Sequence, residues 1–349
     1  MAIYTEAQLE SYLARINYPS PSSTSTSTST SSPSPSRLET FKLSLLTNPL
    51  KTLTLLQRHH LSSIPWGNSA IHYSQHHSIS THPSAVFEKL VTRRLDGYCM
   101  ENTNLLYGVL RSLGYAVYPA AGRVSTSVGD PTLRWRDVRF GPLGHMVLIL
   151  TIEGARYMVD VGFGNNNPTS PLPLKENITT PNTPPTSMRL IREPLPEAVD
   201  QSQKFWIYQV NYNNNSNPVN ENQNEGQNEK EKEENWHTMY AFSETETLPQ
   251  DFAMMNFQTS KLPSSWFTQR VVCVQNIFEP SGSDSGELQP VGVYILAERG
   301  VKKRVAGRVE VVMRLENEDD RVRALERWFG IVLMDYEVQG IRGLGSELV

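Results

Sequence analysis

The apolar residues of this chain change their spacing once, near residue 114, and no other feature limits the possible folds so much. Before that point they recur at helical intervals. Leu9, Tyr12, Leu13 and Ile16 form one stripe, Leu38, Phe41 and Leu45 a second over 37–47, and Leu53 and Leu56 a third over 49–60. Thr5 and Gln8 fit a capping box, with Tyr4 and Leu9 placed as a hydrophobic staple. Residues 84–92 read as a further short helix. DGYCMENTNLLYGVLRSLG reads as a turn followed by a helix with Leu105, Leu106, Val109, Leu110 and Leu113 inward, ended by Gly114. From residue 115 the period moves towards two, and YAVYPA, HMVLILTI, RYMVDVGF and KFWIYQV read as strands. Further strands are predicted at 270–277, 291–297 and 304–314, and a helix at 319–330 on the stripe Val322, Leu325, Trp328 and Phe329. Helices, then strands, then a mixed segment without internal repeats predict an α+β fold.

The punctuation between these elements divides the chain. A Ser/Thr/Pro tract from Ser20 to Ser36 and an Asn/Glu/Gln-rich tract over 213–235 cannot bury enough surface to order themselves, so both read as disordered inserts. Residues 165–200 hold eight prolines and read as a long loop, as does 243–266. Three domains follow: a helical one over 1–114, a strand-rich one over 115–242 and an α/β one over 243–349. The 349 residues carry 32 basic and 36 acidic side chains, a net charge of −4. That balance argues against a nucleic-acid partner or an anionic membrane surface. The first residues lack the basic and apolar regions of a signal peptide, and no apolar run is long enough to span a bilayer. Two cysteines cannot make a disulfide framework, so a reducing, cytoplasmic setting is expected. His72, His76, His77 and His82 lie in a segment without a carboxylate or thiol and read as a polar loop, not as a metal site.

Cys99 carries the chemistry. It stands at the predicted start of a helix, where unpaired N–H groups and the positive end of the dipole favour a thiolate. His145 and Asp160 lie on two consecutive strands joined at Glu153-Gly154. A two-residue loop there puts both side chains on one face as diagonal neighbours, within reach of an imidazole–carboxylate hydrogen bond. Asp160 interrupts an apolar strand and needs a partner if buried. A Cys–His–Asp set follows, with His145 as base for the thiol and Asp160 as the group that orients the ring. The same residues also fit a His–Asp pair that merely ties a hairpin. Cys273, mid-strand in VVCVQ, reads as core.

Four ordered motifs resemble those of the arylamine N-acetyltransferase family. R-x-D-G-Y-C-M-E-N from Arg94 to Asn102 is similar to its R-x-G-G-Y-C-F/M-E-N motif. GHMVLIL and YMVDVGFG resemble its histidine and D-V-G-F-G segments, IPWGNSAI (64–71) its I-P-F-E-N-L element, and Tyr240 to Phe267 its third block. The long inserts and the Met after the cysteine look most like filamentous-fungal members. The resemblance implies an N-terminal helical bundle, a central β-barrel, a C-terminal α/β lid and a cysteine-proteinase-like Cys-His-Asp core. It implies ping-pong acyl transfer from acyl-coenzyme A, a co-substrate and not a resident cofactor, to a small aromatic amine or hydrazine. It places the nucleophile on Cys99, the base on His145 and the carboxylate on Asp160. Read from the residues, Gly162, Phe163 and Gly164 either let coenzyme A approach the backbone or make a bend at the strand end, Phe140 is a candidate wall of the acceptor pocket, and RGVKKR (299–304) is a solvated hairpin tip or meets phosphates.

Two departures matter. Asp96 replaces a glycine, so the turn must tolerate a side chain whose charge would weaken the nucleophile; Thr103 replaces an asparagine. Arg94 and Glu101 would pair to brace that turn. A transglutaminase-like thiol enzyme shares the Cys, His, Asp order, and a silent coenzyme A-binding protein shares the fold. The Tyr240–Phe267 block and D-V-G-F-G argue against the first, the intact triad against the second.

Overall fold

The computed structural model describes residues 3–20, 35–128, 130, 132–133, 135–212, 235–282 and 287–349. Most of both inserts lies outside them. Helices α1 (Glu6–Arg15), α2 (Arg37–Thr47) and α3 (Pro49–Ser63) open the chain. Thr5 and Gln8 form the capping box, and Tyr4 and Leu9 are buried with Tyr12, Leu13, Leu53 and Leu56 in one core. A two-residue strand β1 (Trp66–Gly67), α4 (Ser69–Tyr73) and α5 (Pro83–Phe87) lead to α6 (Cys99–Ser112). Gly114, at φ +89°, follows the end of α6.

Eight antiparallel strands form the central sheet. They are β2 (Ala116–Ser125), β3 (Phe140–Ile152), β4 (Ala155–Val159), β5 (Leu172–Pro173), β6 (Thr180–Pro181), β7 (Ser187–Glu193), β8 (Phe205–Asn211) and β9 (Trp236–Glu246), in the order β5-β4-β3-β2-β9-β8-β7-β6. Leu172 near one edge and Met188 near the other enter the same core with Val147, Tyr208 and Tyr240. A flat sheet would hold these edges apart, so the layer curls into a nearly closed barrel. Strand β3 is buried on both faces. Met146, Leu148 and Leu150 join the helical core while Val147 and Ile149 join the barrel core, which explains its unbroken apolar run.

The remaining elements are α7 (Pro249–Lys261), α8 (Trp266–Gln269), β10 (Cys273–Pro280), β11 (Leu288–Ala297), β12 (Gly300–Val305), β13 (Arg308–Arg314), α9 (Glu318–Phe329) and α10 (Asp335–Val338). The second sheet has the order β1-β10-β11-β12-β13, so Trp66 and Gly67 from the first third of the chain pair with Val274 and Cys273. No helix among the described residues is long and apolar enough to cross a membrane.

Several sequence expectations are corrected here. The 165–200 loop contains β5, β6 and β7. None of its prolines falls within 187–193, and that stretch pairs with β8 from Ser187↔Asn211 to Glu193↔Phe205. The 243–266 loop contains α7, opened by Pro249, with the Asp251 carboxylate accepting the Leu248 N–H at 3.3 Å. Its apolar residues face two ways: Phe252 and Met255 are buried, while Met254 and Phe257 are exposed, so no single stripe marks it. The 304–314 strand is a hairpin of β12 and β13 that turns at Ala306 and Gly307, both at positive φ. RGVKKR therefore supplies most of a paired strand, not its tip. Strand β4 ends at Val159, before Asp160.

Candidate functional site

Helix α6 begins at Cys99, whose residue is 5 % exposed and lines a cavity of about 590 Å³. Burial and the nearby Asp160 and Glu101 carboxylates push the thiol up to about 12, against the backbone N–H groups of Met100 and Cys99, which lower it. Its Sγ lies 3.5 Å from the carbonyl oxygen of Gly144, the residue before His145. The turn that aims it is tied from several sides. Asn102 donates Nδ2–H to Gly97 O at 2.5 Å, and Gly67 N–H donates to the same oxygen at 3.1 Å. The Tyr98 hydroxyl donates to Asn256 Oδ1 on α7, and Asn256 Nδ2 donates to Ile79 O at 2.9 Å.

The second half of the site comes from the β3–β4 hairpin. Glu153 and Gly154, both at positive φ, make the two-residue turn, and the register runs from Ile152↔Ala155 to Leu148↔Val159. Extending it places His145 and Asp160 on the barrel-facing side. His145 Nε2 and Asp160 Oδ2 are 2.7 Å apart and both residues are buried. Asp160 Oδ1 accepts the Gly162 N–H at 2.7 Å. With Nε2 committed to the carboxylate, Nδ1 is the ring nitrogen left for other chemistry. The imidazole is wedged between aromatic rings, Tyr240 at 4.7 Å and Phe163 at 5.1 Å between centroids.

Gly162 joins the two halves. A Cβ there would sit 2.7 Å from Cys99 Cα and 2.7 Å from Thr103 Oγ1, so only glycine lets the hairpin end meet the helix that starts at Cys99. Trp66 Nε1 donates to Gly162 O at 2.7 Å and fixes it from the opposite side.

A model of the N-acetyltransferase family matches residues 49–338. The N-malonyltransferase FDB2 of Fusarium pseudograminearum is 32% identical over 344 residues, which cover 97% of this chain and 92% of that protein. The arylamine N-acetyltransferase of Escherichia coli is 27% identical across 65% of this chain and 67% of its own. The chain belongs to the arylamine N-acetyltransferase family. Among solved structures, the arylamine N-acetyltransferase of Mycobacterium abscessus superposes with a TM-score of 0.67 at 22% identity, covering 96% of this chain and 93% of that one. That of Mycobacterium marinum in complex with CoA gives 0.66 at 22%, covering 96% and 99%. The fold is thus the fold of the arylamine N-acetyltransferases, and the protein is an N-acyltransferase.

Cys99, His145, Gly162, Phe163 and Gly164 all line the same cavity of about 590 Å³. Phe140 does not line it: its ring packs against Trp135 beside Leu195 and Ile207, and Pro142 and Leu143 form that part of the wall. Glu101 pairs with Lys89 at 2.6 Å, not with Arg94, which occupies the left-handed region at φ +55°. Asp96 points away from the thiol and accepts from Ser69 N–H at 3.0 Å and from the Ser69 hydroxyl. Gln57 was not singled out by sequence, and Tyr98 and Asn256 stood in the resembling motifs without roles of their own. Gln57 Nε2 donates to the carbonyls of Asp160 (3.2 Å) and Pro168 (2.8 Å), and its one outward signal is a polar residue on the apolar face of α3. Among the described residues no group of three or more His, Cys, Asp or Glu could hold a metal ion.

Proposed function

We propose that the protein is an acyl-coenzyme A-dependent arylamine N-acyltransferase that works by a ping-pong mechanism through an acyl-Cys99 intermediate. The observation that carries the reading is the His145–Asp160 hydrogen bond on the wall of the cavity onto which Cys99 opens. A thiol pushed to about 12 is not a nucleophile by itself at neutral pH. It needs a base, and His145 offers Nδ1 while Asp160 holds Nε2–H and stabilises the imidazolium. The thiolate adds to the thioester carbonyl, the bond to the coenzyme A sulfur breaks, and that sulfur takes the proton from His145. An arylamine then adds to the acyl-cysteine, His145 takes a proton from its nitrogen, and Cys99 returns as leaving group. An aryl nitrogen is weakly basic and stays unprotonated at neutral pH, and Trp66, Phe163 and Phe267 give the cavity aromatic walls.

The donor is acetyl-, propionyl- or malonyl-coenzyme A, and the names of the Fusarium relatives put malonyl first to be tried. Both cysteines are free and buried, which suits the reducing cytoplasm. Intact-protein mass after brief mixing with each acyl-coenzyme A, without amine, tests the reading. One adduct on Cys99, discharged by an arylamine, is expected; no adduct with any donor would leave a silent coenzyme A-binding protein.

A further inference from the structure

A buried polar line crosses the helical bundle and ends at the turn before Cys99. Tyr12 on α1, His60 on α3 and Asn102 on α6 are all fully buried, and none of the three lines the cavity. The Tyr12 hydroxyl and His60 Nδ1 are 3.0 Å apart. Asn102 donates Nδ2–H at 2.5 Å to the carbonyl oxygen of Gly97, two residues before Cys99. His60 Nε2 and Asn102 Oδ1 are the buried atoms left over from these contacts, and Asn102 acts on the imidazole as a hydrogen-bonding neighbour. The three helices pack through Leu9, Leu13, Leu53, Leu56 and Leu106 in one core, where an unpaired imidazole or amide would be costly.

One arrangement of protons pairs every member of the line. Burial lowers the His60 imidazole to about 3, with the Asn102 hydrogen bond opposing it and the Arg15 charge adding to it, so the ring is neutral and has one donor and one acceptor. If Nδ1 held the proton, bare Nε2 would face Asn102 Oδ1, acceptor against acceptor. Turning the amide over would cure that contact but aim Oδ1 at Gly97 O. With the proton on Nε2, the Tyr12 hydroxyl donates to Nδ1, Nε2–H donates to Asn102 Oδ1, and Asn102 Nδ2–H donates to Gly97 O. All three bonds then run one way, from the first helix to the turn.

We propose that Tyr12 and His60 are positioning residues for the reaction: they fix the amide orientation with which Asn102 holds Gly97, and so aim Cys99 from inside the bundle. This rests on the acyl-Cys99 reading above. Gly97 O also receives the Gly67 N–H, so the turn is held by strand β1 on one side and by the bundle on the other. Releasing the bundle side touches no residue that lines the cavity, so donor binding is retained. The loss falls on the rate at which Cys99 meets the thioester, since that step depends on the alignment of the reacting atoms.

The test follows single-turnover acylation of Cys99 by acyl-coenzyme A. In His60→Leu the rate at saturating donor falls about tenfold, the size of one lost buried hydrogen bond, while the half-saturating donor concentration stays within about twofold. His60→Gln, which keeps an N–H to donate, restores most of the rate, and Tyr12→Phe loses about threefold. In an Asn102→Leu background the further change His60→Leu costs less than about twofold, because its effect runs through Asn102. A lowered Tm with unchanged acylation overturns the proposal, as does an equal loss in both backgrounds. Nitrogen-15 NMR of the histidines in the parent protein, with the His60 signals assigned by their loss in His60→Gln, shows a neutral ring with its proton on Nε2 between about pH 5 and 8. A proton on Nδ1, or on both nitrogens, overturns the proposal even if His60→Leu fails to fold. If the parent enzyme forms no acyl-Cys99 with any donor, the acyl-transfer reading fails instead, and the tautomer is still read by NMR.

Discussion

Asp96 and Asp160 are both wholly buried, and each stands within a few residues of a group that shapes the cavity. Their surroundings differ in kind. Asp160 spends one oxygen on the Gly162 amide and the other on an imidazole, a partner that can gain and lose a proton. Asp96 spends its oxygens on the amide and hydroxyl of Ser69, donors that stay neutral. A buried carboxylate becomes chemical machinery through a titratable partner and remains a brace when its partners are fixed dipoles. Asp96 ties down Ser69, just beyond the short strand that carries Trp66.

The contrast is sharpest under substitution. Asp160→Asn should cut acyl transfer by about 10³–10⁴-fold, because an amide neither favours the required tautomer nor offsets an imidazolium. Stopped-flow acylation measures this, and a loss below tenfold would remove Asp160 from the mechanism. Replacing His145 by Gln should leave Cys99 titrating alone towards about 12. Alkylation by iodoacetamide should then climb with pH through about 10, whereas the parent enzyme should already react below neutrality; matching profiles would break the pair. Asp96→Asn should act on stability, lowering Tm by about 2–6 °C for a loss of roughly 1–3 kcal/mol, with kcat within about threefold. A large kcat effect would erase the distinction between the two carboxylates. Ser69→Ala should reproduce the Asp96→Asn shift, and the double variant should add little to either. Smallest of all, Cys273→Ala should leave the acyl-enzyme adduct untouched, since that thiol lies within β10 among core residues.

Sequence carried the site further than it carried the surrounding walls. A two-residue turn with a fixed period was enough to put His145 and Asp160 on one face, because register in a hairpin is a matter of parity. Helix caps and stripes likewise gave α1, α6 and α9. The misreadings share a cause, which is stabilisation by partners distant in sequence. Strand β7 exists because β8 pairs with it, and the prolines around it masked its alternation. Helix α7 buries Phe252 and Met255 but leaves Met254 and Phe257 exposed, so it shows no amphipathic stripe. Its Asn256, which receives the Tyr98 hydroxyl, stood in the Tyr240–Phe267 motif, but its contact with Tyr98 was not readable from it. Phe140 turned the other way because register shifts interrupt the β2–β3 pairing near its start.

Strand β1 is only two residues long, yet it touches both ends of the chain's history. Trp66 and Gly67 bridge the turn before Cys99 through Gly97, and they take their sheet partners from Val274 and Cys273. A ribosome that has not yet delivered residue 273 holds a chain in which the turn before Cys99 lacks this support. That support reaches the turn only once the last third of the polypeptide has been made.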